Sequence, residues 1–336
     1  MFQVSNGVRQ GAVSSPLLFS IYIDDLLVLL RQSGIGCRLD NFYYGVLGYA
    51  DDLLLLSASR SGLQAMVSIC ERFARLRRLK FSTNANPAQS KTKCVIFSKV
   101  KSCQANIAPV MLNGDPLPWV DKVKHLGNLM EQNNSMKRDC LVKRGKTIGK
   151  VNSLLQELYF AAPNVKMKLL NSYVTSFYGS SLWDLYSPEV TRIYSTWNVT
   201  VRNVFNLPRT THRYLIEGVS DSVHPKTMLC SRFVKFMEGV SKSSKSNVRY
   251  LANLVWNDRR TLVGRTLTRI AQDCDTDRAA LSSTVARKLM YRKPLEENEW
   301  RIPLLRELLD GRSGKSTIAG FNDDEITALI DDVCTT

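Results

Sequence analysis

Apolar and polar positions change register several times along this chain, and each change marks an element. Leu17 to Leu30 is a long apolar run. Ser14-Ser15-Pro16 stands in front of it with helix-start signals, so a helix is predicted to begin near Ser15. Cys37 to Ala50 is rich in aromatics and Val/Leu, with polar alternation at first; with Leu53 to Ser57 it reads as an antiparallel pair turning at Asp51-Asp52. After Ser59 and Ser61, residues Leu63, Met66, Val67, Cys70, Phe73 and Ala74 recur at three- and four-residue spacing. Arg72, Arg75 and Arg78 take the opposite face, the pattern of an amphipathic helix. Residues 84–90 form a polar loop broken by Pro87, and Lys93 to Ser98 alternates like a strand. A turn at Asn113-Gly114-Asp115-Pro116 leads to Trp119 and on to Val123-Lys124-His125-Leu126-Gly127.

From about Lys137 the period becomes helical, with runs at Leu141 to Leu158, Val165 to Leu182, Glu189 to Phe205 and Lys226 to Val240. The expected fold class is therefore α+β, in three parts: a mixed unit over 1–133, a helical block over 134–270 and a helical tail over 271–336. Charge sharpens these boundaries. Of the net +16, residues 134–270 carry 22 basic against 8 acidic side chains, whereas 271–336 is acidic, with 9 against 13. A field of that sign draws polyanions, and phosphate contacts release counterions. Tyr173, Phe177, Tyr178, Trp183, Tyr194, Trp197 and Phe205 lie among these basic residues, and most are expected in the core rather than as stacking platforms.

The cysteines never fall at CxxC spacing and the three histidines form no cluster with them, which reads as reduced thiols in an intracellular protein. The Leu17–Leu30 run is too short to span a bilayer and carries Asp24 and Asp25 at its centre, so no membrane is expected as a partner. No signal peptide is read in the first ten residues.

The chemistry concentrates at Tyr49-Ala50-Asp51-Asp52. Side chains alternate in a strand, so adjacent aspartates at the tip of a buried apolar hairpin would be costly unless they turn outward or hold cations. Their mutual repulsion makes a bound cation the natural compensation, and hard divalent ions take carboxylate oxygens. Asp24 and Asp25 lie on the predicted helix and read as surface charges. Gly311 to Thr317 suggests a phosphate loop, but Leu309 stands where its first glycine belongs and no strand precedes it.

Taken in order, Gly7-Val8-Arg9-Gln10-Gly11 with the following Ala12 to Phe19, Tyr49-Ala50-Asp51-Asp52, Lys91 and Lys93, and His125-Leu126-Gly127 resemble successive motifs of reverse transcriptases. The resemblance is to those of non-long-terminal-repeat (LINE-type) retrotransposons and covers about residues 5–133. It implies a partial polymerase palm followed by a basic helical thumb-like domain, working on an RNA template, a DNA primer and deoxynucleoside triphosphates with two Mg²⁺ ions, in the cytoplasm and nucleus. By resemblance Asp51 is a direct metal ligand and Asp52 its partner, while Tyr49 supports the floor of the site or contacts the primer. Arg9, Gln10 and Gly11 lie along template and nucleotide, Lys91 or Lys93 stands near the departing pyrophosphate, and His125, Leu126 and Gly127 grip the primer end. Such enzymes carry a third metal aspartate and basic fingers before the Gly-Gln-Gly loop, where only six residues precede Gly7 here. The resemblance thus implies an N-terminally truncated fragment that does not catalyse alone. The rival expectation is a catalytically dead nucleic-acid-binding remnant.

Overall fold

The computed structural model describes residues 12–84, 86, 89–98, 107–292, 301–312 and 323–335. It combines helices with short antiparallel strand pairs, an α+β fold. Two compact units emerge, one of Met1–Val123 with Glu131–Asn134, the other of Lys124–Met130 with Ser135–Thr336.

The first unit is built on two helices and the ribbons between and after them. Helix α1 (Ser15–Gln32) starts where the sequence predicts, with Pro16 in its first turn, where a missing N–H costs nothing. Its inner stripe, Ile23, Leu26 and Leu30, is buried. Helix α2 (Arg60–Leu76) is capped by Ser59, whose hydroxyl accepts from the Gly62 amide, and it buries Met66, Val67, Cys70, Phe73 and Ala74. Between them lie β1 (Arg38–Leu39), β2 (Phe42–Tyr43), β3 (Val46–Tyr49) and β4 (Asp52–Leu55). Leu26, Leu30, Met66, Cys70 and Phe73 form one core, with Val46, Leu53 and Leu55 packed against it. Each fully buried aliphatic side chain there contributes about 1.5–3 kcal/mol.

A second core gathers Val67 and Cys94 with Val110, Leu112 and Leu117. The last three belong to β5 (Val110–Leu112) and β6 (Asp115–Leu117), a hairpin turning at Asn113-Gly114 with both residues at positive φ (53° and 83°). The strand expected over Lys93 to Ser98 does not form a ladder. Only Cys94 makes a bridge, to Trp119, through Cys94 N to Pro118 O and Val120 N to Cys94 O. The tight local hairpin pairs β5 with β6, which leaves the Lys93 segment the Cys94 bridge and a bond from Ser98 N to Gln132 O at 3.1 Å.

The chain passes to the second unit at the ribbon β7 (Lys122–His125) and β8 (Asn128–Glu131). Helices α3 (Lys137–Glu157), α4 (Pro163–Tyr173), α5 (Pro188–Phe205), α6 (Arg213–Ser220), α7 (Pro225–Ser241), α8 (Ser246–Asn257), α9 (Leu262–Asp273) and α10 (Ser283–Arg287) follow. Then come α11 (Arg301–Arg312) and α12 (Asp323–Thr335). Proline opens α4, α5 and α7. The helix expected over Val165 to Leu182 stops at Tyr173. Phe177 and Gly179 adopt positive φ (39° and 78°), and only a short 3₁₀ turn, Ser180–Leu182, resumes. Helix α6 is absent from the sequence reading.

Two cores hold this unit. One joins Trp183, Ile193, Leu229, Phe233, Leu267 and Ile270. The other joins Met167, Leu170, Trp197, Leu215 and Ile216 with Leu305 and Ile330, so α11 and α12 share a core with α5 and α6. Phe177, Trp183, Tyr194, Trp197 and Phe205 are buried, whereas Tyr173 and Tyr178 are exposed. The described cysteines are free, and burial pushes the thiols of Cys70, Cys140 and Cys230 up to about 12. Among the described residues no helix is long and apolar enough to cross a membrane.

Candidate functional site

In β3 and β4, Gly48 faces Leu53 and Tyr49 faces Asp52, leaving Ala50 and Asp51 as the connection. Facing residues share a side of the ribbon and successive ones alternate. Leu53 packs into the core, and a Cβ on Gly48 would lie 3.6 Å from Leu27 of α1, so that side faces the helices. Tyr49 and Asp52 therefore take the solvent side, Tyr49 with 67% exposure. Asp51 and Asp52 are both exposed. This corrects the expectation of a buried tip. The ribbon has a single packed side, and Leu47 on the other is 48% exposed. Ala50 holds φ at 51°, where a Cβ costs about 1–2 kcal/mol, in contrast to the Asn113 and Asp40 that serve other ribbon turns.

Neither aspartate makes a side-chain hydrogen bond or ion pair among the described residues. Among those residues no third His, Cys, Asp or Glu completes a metal-holding group with them. The pair nonetheless fits a magnesium-like cation, which is held through one or two carboxylates and takes its remaining oxygens from water and phosphate. Lys91 and Lys93 are exposed on the irregular segment before the Cys94 bridge. No ion pair among the described residues joins either of them to the aspartates. Arg9, Gln10 and Gly11 lie outside the described residues. Asp25 is ion-paired to Arg77, the C-cap residue of α2, the surface role expected of it.

The His125-Leu126-Gly127 motif is the turn between β7 and β8. Leu126 and Gly127 both take positive φ (45° and 78°), as a tight two-residue hairpin requires. Behind the turn lies a buried polar cluster that the sequence reading missed. Asp139, 3% exposed, accepts from the Leu129 amide at 3.1 Å and from Trp183 Nε1 at 2.9 Å, and pairs with Lys143 Nζ at 2.8 Å. Lys143 Nζ also donates to Asn128 Oδ1 and to the Tyr178 carbonyl, each at 2.7 Å, which occupies its three N–H bonds. Gly179 lets Asn128 in, because a Cβ there would fall 1.8 Å from Asn128 Oδ1. The legible signal was an Asp-Lys pair at i,i+4 twelve residues beyond Gly127.

Two further buried ionisable groups sit deeper in the second unit. Burial pushes the Glu217 carboxyl up to about 7; Arg213 Nε lies 3.1 Å from its Oε1 but is not aligned as a hydrogen bond. His224 accepts at Nδ1 from the Lys226 amide and meets Asn198 Oδ1 through Nε2, so the neutral ring donates from Nε2. Burial, then the charges of Arg213 and Lys226, push it down to about 3. Both are buried, at 2% and 1% exposure.

Residues 1–128 match the family model described as reverse transcriptase (RNA-dependent DNA polymerase). Over these residues the chain is similar to the reverse transcriptase family. Its relatives include the Pol polyprotein of the type-2 retrotransposable element R2DM of Drosophila melanogaster, 34% identical over 101 residues, covering 29% of this chain and 10% of that protein. The R2 element polyprotein of Popillia japonica is 35% identical over 101 residues, covering 29% and 14%. That of the R1 element of Bradysia coprophila is 26% identical over 158 residues, covering 45% and 14%. These relatives are polyproteins of R1 and R2 retrotransposable elements. The chain's matches cover 10–14% of their length.

Proposed function

We propose that the β3–β4 hairpin is the nucleotidyl-transfer centre of an RNA-directed DNA polymerase, with the first unit acting as its palm. The observation that carries this reading is the pair of exposed carboxylates at the tip of a packed hairpin, inside the segment that matches the reverse transcriptase family. Asp51 and Asp52 hold divalent cations, Mg²⁺ by the chemistry of the donors. Two such ions, when bound, activate a primer hydroxyl and stabilise the leaving pyrophosphate. The exposed Tyr49 beside Asp52 supports the primer strand, and Lys91 or Lys93 stabilises charge on the pyrophosphate. His125, Leu126 and Gly127 hold the primer end, backed by Asp139, Lys143 and Asn128. The helical block 134–270 serves as a thumb for the RNA–DNA duplex, and 271–336 forms its tail.

A second reading, nucleic-acid binding without catalysis, draws on the +14 of residues 134–270 and on the lack of a third ligand among the described residues. Primer extension on an RNA template with Mg²⁺ and deoxynucleotides separates the two. Extension that disappears in Asp51→Asn supports the polymerase. Extension that survives it overturns this assignment of the centre. Salt-sensitive duplex binding without extension, unchanged in the Asp51→Ala/Asp52→Ala double variant, supports the binding module.

A further inference from the structure

Among the described residues, the connection between α3 and α4 carries the two most exposed aromatic rings of the second unit, Tyr159 at 79% and Phe160 at 74%. They contact one another edge to face, with centroids 5.5 Å apart and planes at 87°, which leaves ring faces open to solvent. The backbone beneath them is fixed: Lys166 Nζ donates to the Tyr159 carbonyl at 3.0 Å, and Pro163 starts α4. A third exposed ring, Tyr173 at 65%, ends the 11-residue α4, about 15 Å from the tip at 1.5 Å per residue. There the arrangement repeats, because Lys150 Nζ of α3 donates to the Tyr173 carbonyl at 3.3 Å. Each site thus sets a lysine against the backbone of an exposed tyrosine.

The local charge points the same way. Between Cys140 and Trp183 the chain has six basic side chains and a single acidic one, Glu157. No ion pair among the described residues engages Lys150, Lys166 or Lys168. Open rings interleaved with unpaired cations are what an unpaired nucleic-acid strand requires, bases stacking on the rings while phosphates meet the amines. Leu141, Val142 and Val165 are also exposed on this hairpin, at 47%, 47% and 48%, but less so than the three rings.

We propose that the α3–α4 hairpin is a stacking track for single-stranded nucleic acid, with Tyr159, Phe160 and Tyr173 as platforms and Lys150, Lys166 and Lys168 on the phosphates. It rests on the reading of this chain as a nucleic-acid-binding protein, catalytic or not. The strand is recognised by open π faces and backbone charge, so RNA and DNA of one sequence bind alike.

The test is fluorescence anisotropy of the whole chain with 12-nucleotide single strands, RNA and DNA, and with a 12-base-pair duplex at matched salt. Tyr159→Ala/Phe160→Ala is expected to weaken single-strand binding about 10- to 100-fold and duplex binding less than twofold. Tyr159→Phe/Phe160→Tyr is expected to restore binding, whereas Tyr159→Leu/Phe160→Leu is not. Lys150→Gln/Lys168→Gln is expected to lower the salt slope for single strands by about 1.4. Circular dichroism confirms that each variant is folded. Unchanged single-strand binding in the alanine variant, equal loss on duplex, or full rescue by leucine overturns the track. Ring-dependent sedimentation with phosphatidylserine vesicles while single-strand binding is unaffected assigns the rings to a membrane surface and also overturns it. A wild-type chain that binds no nucleic acid sinks the underlying reading as well, which distinguishes the two failures.

Discussion

Asp51 with Asp52, and Asp139, are carboxylates set beside neighbouring sequence motifs, and they occupy opposite environments. The first two stand exposed at a ribbon tip with no side-chain partner among the described residues. Asp139 is 3% exposed, and both its oxygens are engaged by an amide, an indole and an ammonium group. Water-exposed carboxylates keep their lone pairs for a cation. A buried one that already satisfies three donors, with water excluded, fixes geometry instead. Sequence proximity to a motif therefore does not decide a carboxylate's role; the free coordination left to it does.

Substitutions should separate these roles cleanly. In any preparation where the chain supports primer extension, against the expectation that the fragment does not catalyse alone, Asp51→Asn is expected to reduce it about 1,000-fold or more, about 4 kcal/mol of barrier, while the melting temperature moves less than 1 °C. A large loss of stability would break the contrast. Asp139→Ala is expected to reverse the pattern. It strands Lys143, Trp183 Nε1 and the Leu129 amide inside the unit, a loss of about 3–5 kcal/mol visible by urea denaturation.

A second buried carboxylate sharpens the comparison through pH. Glu217 sits at about 7 when folded against an ordinary 4.5, so the folded state holds its proton more tightly. Stability should fall as pH rises from 4.5 through 7, by up to about 3 kcal/mol. His224 has the opposite sign: held at about 3 against 6.5, it loses stability as pH drops through that window. Glu217→Gln should abolish the loss toward neutral pH and leave the acid limb, as thermal melts across pH 4–8 would reveal. The smallest effect belongs to the first unit. Ser59→Ala removes the cap of α2 and should cost about 1 kcal/mol, leaving extension per folded molecule unchanged.

What could be read from the sequence divides along similar lines. The start of α1 and the buried stripe of α2 follow from local spacing and capping, and the structure has them; the turn expected at Asp51-Asp52 falls one residue earlier, at Ala50-Asp51, because Asp52 pairs with Tyr49. The end of α4 does not, because Phe177 and Gly179 take left-handed φ to fit Asn128, a contact 51 residues away along the chain. The strand expected at Lys93 failed for a related reason, since pairing depends on which neighbour claims the edge. At the site, Asp51 and Asp52 were legible as a motif, but their exposure was not, because it depends on which side of the ribbon meets α1. The Asp139 cluster joins segments up to 55 residues apart, from Asn128 to Trp183, and only its i,i+4 pair left a trace.

The central claim is that the exposed pair, and not the buried carboxylate, holds the catalytic cation. Paramagnetic broadening by Mn²⁺ of the backbone amides of the ¹⁵N-labelled chain tests it directly. The account predicts broadening centred on Tyr49 to Leu53 that disappears in Asp51→Asn/Asp52→Asn, with the amides around Asp139 untouched. Broadening that survives the double substitution, or that centres on Asp139, would contradict it.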